Sequence, residues 1–391
     1  MNTTVSPQVS SRINVVDSLR GFAVVGIIII HFLEHMNFYR WPEPSPFEQG
    51  LWDTVFFLGA SKMYAIFSLL FGLSCYIQHH NEEKRGGDFR LRFVWRMLLL
   101  FAWGLLDLVF FNGDILVTYA VLGLLLVPLV KASDRVLWIV AAILFFQPIE
   151  IVYLVLGLIN PETTPMNLGL SPLWGDLYKA CSSGSFWDVA QVNLSYGLQI
   201  NFGWAIEHGR LTQTLFLFVL GMILGRKRLF INEGSHLEVW KKVAKWSVFA
   251  FAVVQPLLMS IPGLYQEQPA VSQSLDILLS AWRNLSMTLF YVALITLLYY
   301  KTTSFQKALD RLKYIGKMSL TDYLIQSIVG GFLFYNWGLS LWEVCSHGYS
   351  FILALDFLVF LYFFCHFWAT HFRRGPLEEI WARLTWIGKK H

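Results

Sequence analysis

Charge is what this sequence has least of: Asp, Glu, Lys and Arg make up 14% of 391 residues, while 55% are hydrophobic and 17% aromatic. A soluble domain of this length carries about a quarter of its residues as charges, so the composition excludes that class. The mean hydropathy of +0.51 indicates an all-α, polytopic membrane protein. Cysteine is scarce as well. Cys75, Cys181, Cys345 and Cys365 have neither metal-ligand nor redox spacing, which argues against a disulfide framework, and three of them lie in or beside apolar runs, where a reduced cysteine packs as a small hydrophobe. The first apolar run is followed by no small-residue cleavage pattern, so it is read as a retained span. No internal repeat is visible, which counts against a transporter, a class often built from inverted repeats.

Apolar runs near 18–36, 55–77, 92–111, 114–131, 136–158, 211–226, 246–262, 278–299, 318–337 and 351–370 predict about ten transmembrane helices, some short enough to be tilted or re-entrant. Basic residues gather in alternate loops: Lys84, Arg85, Arg90 and Arg92, then Lys131 and Arg135, then Arg226 to Lys245, then Lys301 to Lys317, and last Arg373, Arg374, Lys389 and Lys390. The positive-inside rule makes these loops, and so the N- and C-termini, cytoplasmic. The net charge of +4 is then topogenic and calls for no nucleic-acid partner. The segment 159–210 carries Trp174, Tyr178, Trp187 and Trp204 and reads as an outer amphipathic cap, either a plain surface layer or a lid over an acceptor site.

Residues 17–31 read DSLRGFAVVGIIIIH. Eleven helical steps from Arg20 return His31 to nearly the same face, roughly 16 Å further along the axis. Such a helix suits a ligand anchored by charge at one end and reacting at the other. Asp17 and Arg20, three apart, either neutralise each other or present the guanidinium to a phosphate. His31 is either a satisfied buried imidazole or the base that acyl transfer to a hydroxyl or amine requires. Asp107, preferred over Glu150, is the candidate to orient it. Asp114 in the turn FNGD caps the next helix, Lys62 snorkels from its span, and Asp322 compensates a helix N-terminus. Glu207, His208 and Arg210 form a polar knot, serving either as an interfacial anchor or in acceptor binding, and Glu150 joins them as a candidate substrate contact. His79 and His80 are read as solvated, and no metal is expected.

DSLRGFAVVGI at 17–27, FSLLFG at 67–72, NGDILVTYA at 112–120, GKMSLTDYLIQS at 316–327 and RRGPLEEIWARLT at 373–385 together resemble the YeiB family, bacterial membrane proteins carrying domain of unknown function 418. That family is grouped with the transmembrane acyltransferases, including the acyltransferase-3 enzymes and the lysosomal heparan glucosaminide acetyltransferase. The resemblance implies a single multi-pass domain over 1–391 in the bacterial inner membrane. Residues 1–230 would be a donor and catalytic half, and 231–391 a C-terminal YeiB-like half. It also implies transfer from cytoplasmic acyl-CoA, acetyl-CoA above all, to a sugar, glycolipid or envelope acceptor. Acyltransferase-3 enzymes space a basic residue and a histidine as Arg20 and His31 are spaced, whereas YeiB proteins often carry Asn at the histidine's place.

Under that expectation Arg20 and Asp17, with Arg92 and Arg96 on a basic segment, bind the donor, and His31 with Asp107 performs the transfer. The partners are then the acyl-CoA donor, the acceptor and membrane lipid, and the apolar surface also admits a homodimer. The C-terminal RRGPLEEIWARLTW reads first as an interfacial anchor and second as a donor-binding element. The rival reading is a transporter or lipid-handling protein without chemistry, its intramembrane Asp107, Glu150, Asp322 and His31 acting as relay groups.

Overall fold

In a computed structural model the described residues, 13–37 and 44–387, build only helices and their connections, with no strand among them. Residues 38–43 of the first polar loop, and Lys389 and Lys390 of the basic series, lie outside the described residues. The chain begins with α1 (Asn14–Asn37), α2 (Pro46–Leu58) and α3 (Lys62–Glu83), followed by α4 (Arg90–Leu108) and α5 (Leu116–Leu124), which pack as a pair around the FNGD turn. Next come α6 (Leu126–Leu129), α7 (Asp134–Phe145) and α8 (Pro148–Ile159). The cap segment folds as α9 (Ser171–Ser183) and α10 (Phe186–Glu207), and α11 (Arg210–Arg226), α12 (His236–Ser260) and α13 (Pro269–Lys301) follow. Two short helices, α14 (Thr303–Leu309) and α15 (Lys313–Lys317), lead to α16 (Ser319–Phe334), α17 (His347–His371) and α18 (Pro376–Thr385).

Five stretches are long and apolar enough to cross a membrane, or six if α7 and α8, bent by 43° at their junction, count as one span. About ten were expected. The difference has a physical cause in each place: α5, α11 and α16 have 9, 17 and 16 residues, and α4 carries Arg90, Arg92, Arg96 and Asp107. Of these, α5, α11 and α16 lie largely inside the bundle, whereas α4 buries one face and leaves Leu91, Trp95, Leu98 and Leu106 exposed. The apolar surface is worn by the long helices, where Trp246, Phe249 and Met259 on α12 and Phe360, Phe363 and Phe367 on α17 are exposed, as lipid-facing side chains are.

Two helix crossings are close enough to need glycine. A Cβ on Gly21 of α1 would stand 2.0 Å from the Leu312 carbonyl oxygen, and one on Gly316 of α15 would stand 1.9 Å from the Asp17 oxygen. On the α3–α11 crossing, a Cβ at Gly72 would meet the Phe218 oxygen at 1.9 Å and one at Gly221 the Leu69 oxygen at 2.0 Å. Without lipid-excluding hydrophobic drive between spans, close backbone approach is what holds such helices together. Through the first crossing the DSLRG and GKMSL segments, almost 300 positions apart in the chain, lock against each other.

Candidate functional site

Helix α1 carries Arg20 and His31 into two different cavities. Arg20, with Asp17, lines one of about 450 Å³, and His31 lines another of about 670 Å³. No lining residue is common to both. At their divide α3 gives Tyr64 to the His31 cavity and Phe67 to the Arg20 cavity, while α5 gives Thr118 to the first and Tyr119 to the second. The Tyr119 hydroxyl lies 2.5 Å from Ser68 Oγ and donates to the Tyr64 carbonyl at 3.2 Å, so the partition is a hydrogen-bonded one.

The Arg20 guanidinium donates to Asp17 Oδ1 at 3.0 Å and to Ser74 Oγ at 2.9 Å. Arg96 shares its cavity, with its guanidinium 4.4 Å over the Trp381 ring and its Nε without a hydrogen bond among the described residues. Arg92 is not brought to this cavity: it lies 4.1 Å over the Trp386 ring and donates to the Thr385 carbonyl at 3.3 Å, which docks α18. Lys317 and Glu378 complete the charged lining. Glu378 accepts from the Leu320 and Thr321 amides at 2.8 and 3.0 Å and from the Thr321 hydroxyl at 2.6 Å, satisfying the first amides of α16. Burial pushes its carboxyl above the usual range, and the bonds from Thr321 oppose that rise. The C-terminal helix therefore belongs to the cavity wall, through Glu378 and Trp381. All five family-like segments meet here, through Asp17 and Arg20, Phe67 and Phe71, Leu116 and Tyr119, Gly316 to Leu320, and Glu378 and Trp381.

In the other cavity the His31 ring packs 5.0 Å from Phe111 and edge-on to Tyr323 at 5.9 Å, and its buried Nδ1 has no hydrogen-bond partner among the described residues. Asp107, fully buried, faces Asp114 and Ser327; no bond joins it to His31. Asp114 caps α5 as expected, accepting from the Leu116 and Val117 amides at 2.9 and 2.8 Å. The turn is tied to the cap, since Asn201 donates to the Asp114 carbonyl and accepts from Thr118 at 3.0 Å. Trp174, Tyr178, Asn201 and Trp204 of α9 and α10 wall this cavity.

Of the polar knot, Arg210 alone reaches it. Glu207 accepts from the Leu168 amide and His208 stacks on Trp204, while Glu150 is buried against Ser274 of α13, away from both cavities. Glu34 was missed. It lines the His31 cavity three residues on from the histidine, and the same helical spacing that linked Asp17 to Arg20 would have found it. Three further expectations need correcting. Lys62 does not snorkel, because the span breaks at 59–61 and leaves it 1% exposed as the first residue of α3. His79 is not solvated, being buried on α3. Asp322 is indeed in the first turn of α16, but it is fully buried and accepts from the Cys365 thiol at 3.2 Å.

Residues 12–170 match the family described as heparan-alpha-glucosaminide N-acetyltransferase, catalytic, and residues 224–388 match the protein family of unknown function DUF418. With the helical fold, these matches make the chain similar to membrane acyltransferases. More particularly, it is similar to the YeiB-like proteins of the DUF418 family. It is 25% identical to the uncharacterized protein YeiB of Escherichia coli (strain K12) over 94% of this chain and 95% of that one. It is also 25% identical to the uncharacterized protein YxaH of Bacillus subtilis (strain 168), over 97% of this chain and 95% of the relative. No solved structure matches.

Proposed function

We propose that the protein is a membrane acyltransferase that takes an acyl group, acetyl in the simplest case, from acyl-CoA and places it on a sugar-type hydroxyl or amine. The observation that carries this reading is that one helix, α1, holds Arg20 in one cavity and His31 in the next. The match of residues 12–170 to an acetyltransferase catalytic family supports it. The donor's phosphates are assigned to Arg20 and Arg96, whose guanidinium groups stay charged and bind paired oxygens. Its pantetheine arm follows α1 toward His31 and passes the Ser68–Tyr119 partition. Arg92 supports this site at one remove by holding α18.

A neutral imidazole offers a lone pair on one ring nitrogen. His31 takes the acceptor's proton as the acceptor oxygen or nitrogen attacks the thioester carbonyl. The carbon–sulfur bond then breaks, and the proton passes to the departing thiolate. Asp107 is assigned a positioning role through Asp114 and the 112–114 turn that forms the cavity wall. Glu207 and His208 shape the acceptor side from behind by fastening α10.

The test measures release of free thiol from acetyl-CoA by the full-length protein in proteoliposomes, with hexose and hexosamine acceptors. Acceptor-dependent release is expected from the wild type. His31→Ala should lower it about 10²–10⁴-fold while CoA binding is retained. Undiminished release by that variant, or solute flux with no thiol released, overturns the reading.

A further inference from the structure

Beside His31 the larger cavity has a cationic pole that the transfer step does not use. Arg210 opens α11 and lines the cavity. Lys62 opens α3, and Arg283 lies on α13. Arg210 and Arg283 both lie within electrostatic reach of Lys62 and of each other. The acidic groups facing this cluster are Glu34, which lines the same cavity, and Asp276 on α13. None of the three cations forms an ion pair among the described residues.

Several local rules are broken here together. Like charges are gathered in a membrane protein's interior, where each is costly. Two of them stand at helix N-termini, the end whose dipole repels a cation. The residue that joins those two termini, Ser61, has φ of 69°, in the left-handed region that strains a non-glycine residue, and accepts a hydrogen bond from Arg210 Nη2. Departures of this kind persist where function requires them, and an anion relieves every one of the electrostatic penalties. Arg210 keeps donors to offer: Nη1 reaches Gln213 Oε1 only at 3.4 Å. Around it Tyr64, Trp174, Tyr178 and Trp204 line the cavity and offer flat faces suited to a sugar ring.

We infer that the acceptor is a phosphorylated sugar whose phosphate docks on Arg210, backed by Lys62 and Arg283, with the sugar ring among the cavity's aromatic side chains and its hydroxyl or amine toward His31. This rests on the transfer reading for the role of the occupant but not for its binding. The phosphate is carried either by a soluble sugar phosphate or by a glycolipid headgroup, because the chemistry Arg210 meets is the same.

Binding is measured with the full-length protein and no acyl donor, by thermal shift and calorimetry, using glucose 6-phosphate, glucose and inorganic phosphate. Glucose 6-phosphate should bind at least ten-fold more tightly than glucose. Arg210→Gln should weaken it ten-fold or more, with partial recovery in Arg210→Lys. Glu34→Gln removes the carboxylate facing the anion and should tighten binding several-fold, a gain that a merely destabilised variant does not produce. Competition by nanodisc phosphatidylglycerol, and none by phosphatidylcholine, assigns the phosphate to a lipid headgroup; absence of both assigns it to a soluble sugar. Equal binding of glucose and its phosphate, unchanged binding by Arg210→Gln, or weaker binding by Glu34→Gln overturns the proposal. Because thiol release is not the readout, loss of the transfer reading and loss of this one are distinguishable.

Discussion

The two cavities along α1 differ in how their charges are arranged. Around Arg20, charges are largely answered: Asp17 pairs with the guanidinium, Glu378 receives three bonds from α16, and the Arg96 guanidinium lies over the Trp381 ring of α18. Around His31, among the described residues, the histidine Nδ1 has no hydrogen bond and Arg210 has no ion pair. A cavity whose charges are already satisfied is held in shape and meets its ligand with a preorganised surface, whereas one with unanswered groups gains most when its ligand arrives. In the proposed transfer the smaller cavity would hold the constant donor and the larger the varied partner.

The sharpest way to break this comparison is Arg20→Ala. Losing a charge-assisted contact of about 1.5–3 kcal/mol should weaken CoA binding roughly ten- to hundred-fold and leave sugar phosphate binding within two-fold, read by calorimetry with each ligand alone. Equal losses for both ligands would show that the cavities act as one.

Next in size is Gly316→Ala. Its new Cβ has to displace the Asp17 carbonyl, at about 1–3 kcal/mol for a tight interior, so the melting temperature and CoA affinity should both fall while binding at Arg210 survives. The matching change on the other crossing, Gly72→Ala, should lower stability by a similar amount but without the selective loss of CoA affinity.

The smallest effect is expected at Glu378. Burial raises its carboxyl from the ordinary value of 4.5, so the folded chain holds this proton more tightly than the unfolded one. The stability that this group contributes is therefore fully present below pH 4.5 and declines as pH rises from there through the raised value. Glu378→Gln should flatten that dependence and shift stability by about 1 kcal/mol, followed by melting across pH 4–8; an unaltered slope would show that another group sets it.

Much of the active face was legible because helical geometry is local. Arg20 and His31 fall on one side of α1 by spacing alone, and Asp114 sits where a cap is needed. Glu34 was equally legible and was overlooked. The partner of His31 was not, since a carboxylate's distance in sequence says nothing of its distance in space; Asp107 is packed on Asp114 instead. Lys62 was misplaced because hydropathy averages across the break at 59–61, which turned a helix start into the middle of a span.

The sequence by itself determined the solvent and the periodicity: scarce charge and long apolar runs commit the chain to helices in a membrane, because every backbone polar group there needs a partner within its own segment. Only the tertiary structure decided which helices lie inside the bundle, that five distant segments share the Arg20 cavity, and that three cations converge beside the other. Those outcomes depend on close backbone approach at Gly21–Leu312 and Gly72–Phe218, a property of pairs of helices that no single helix encodes.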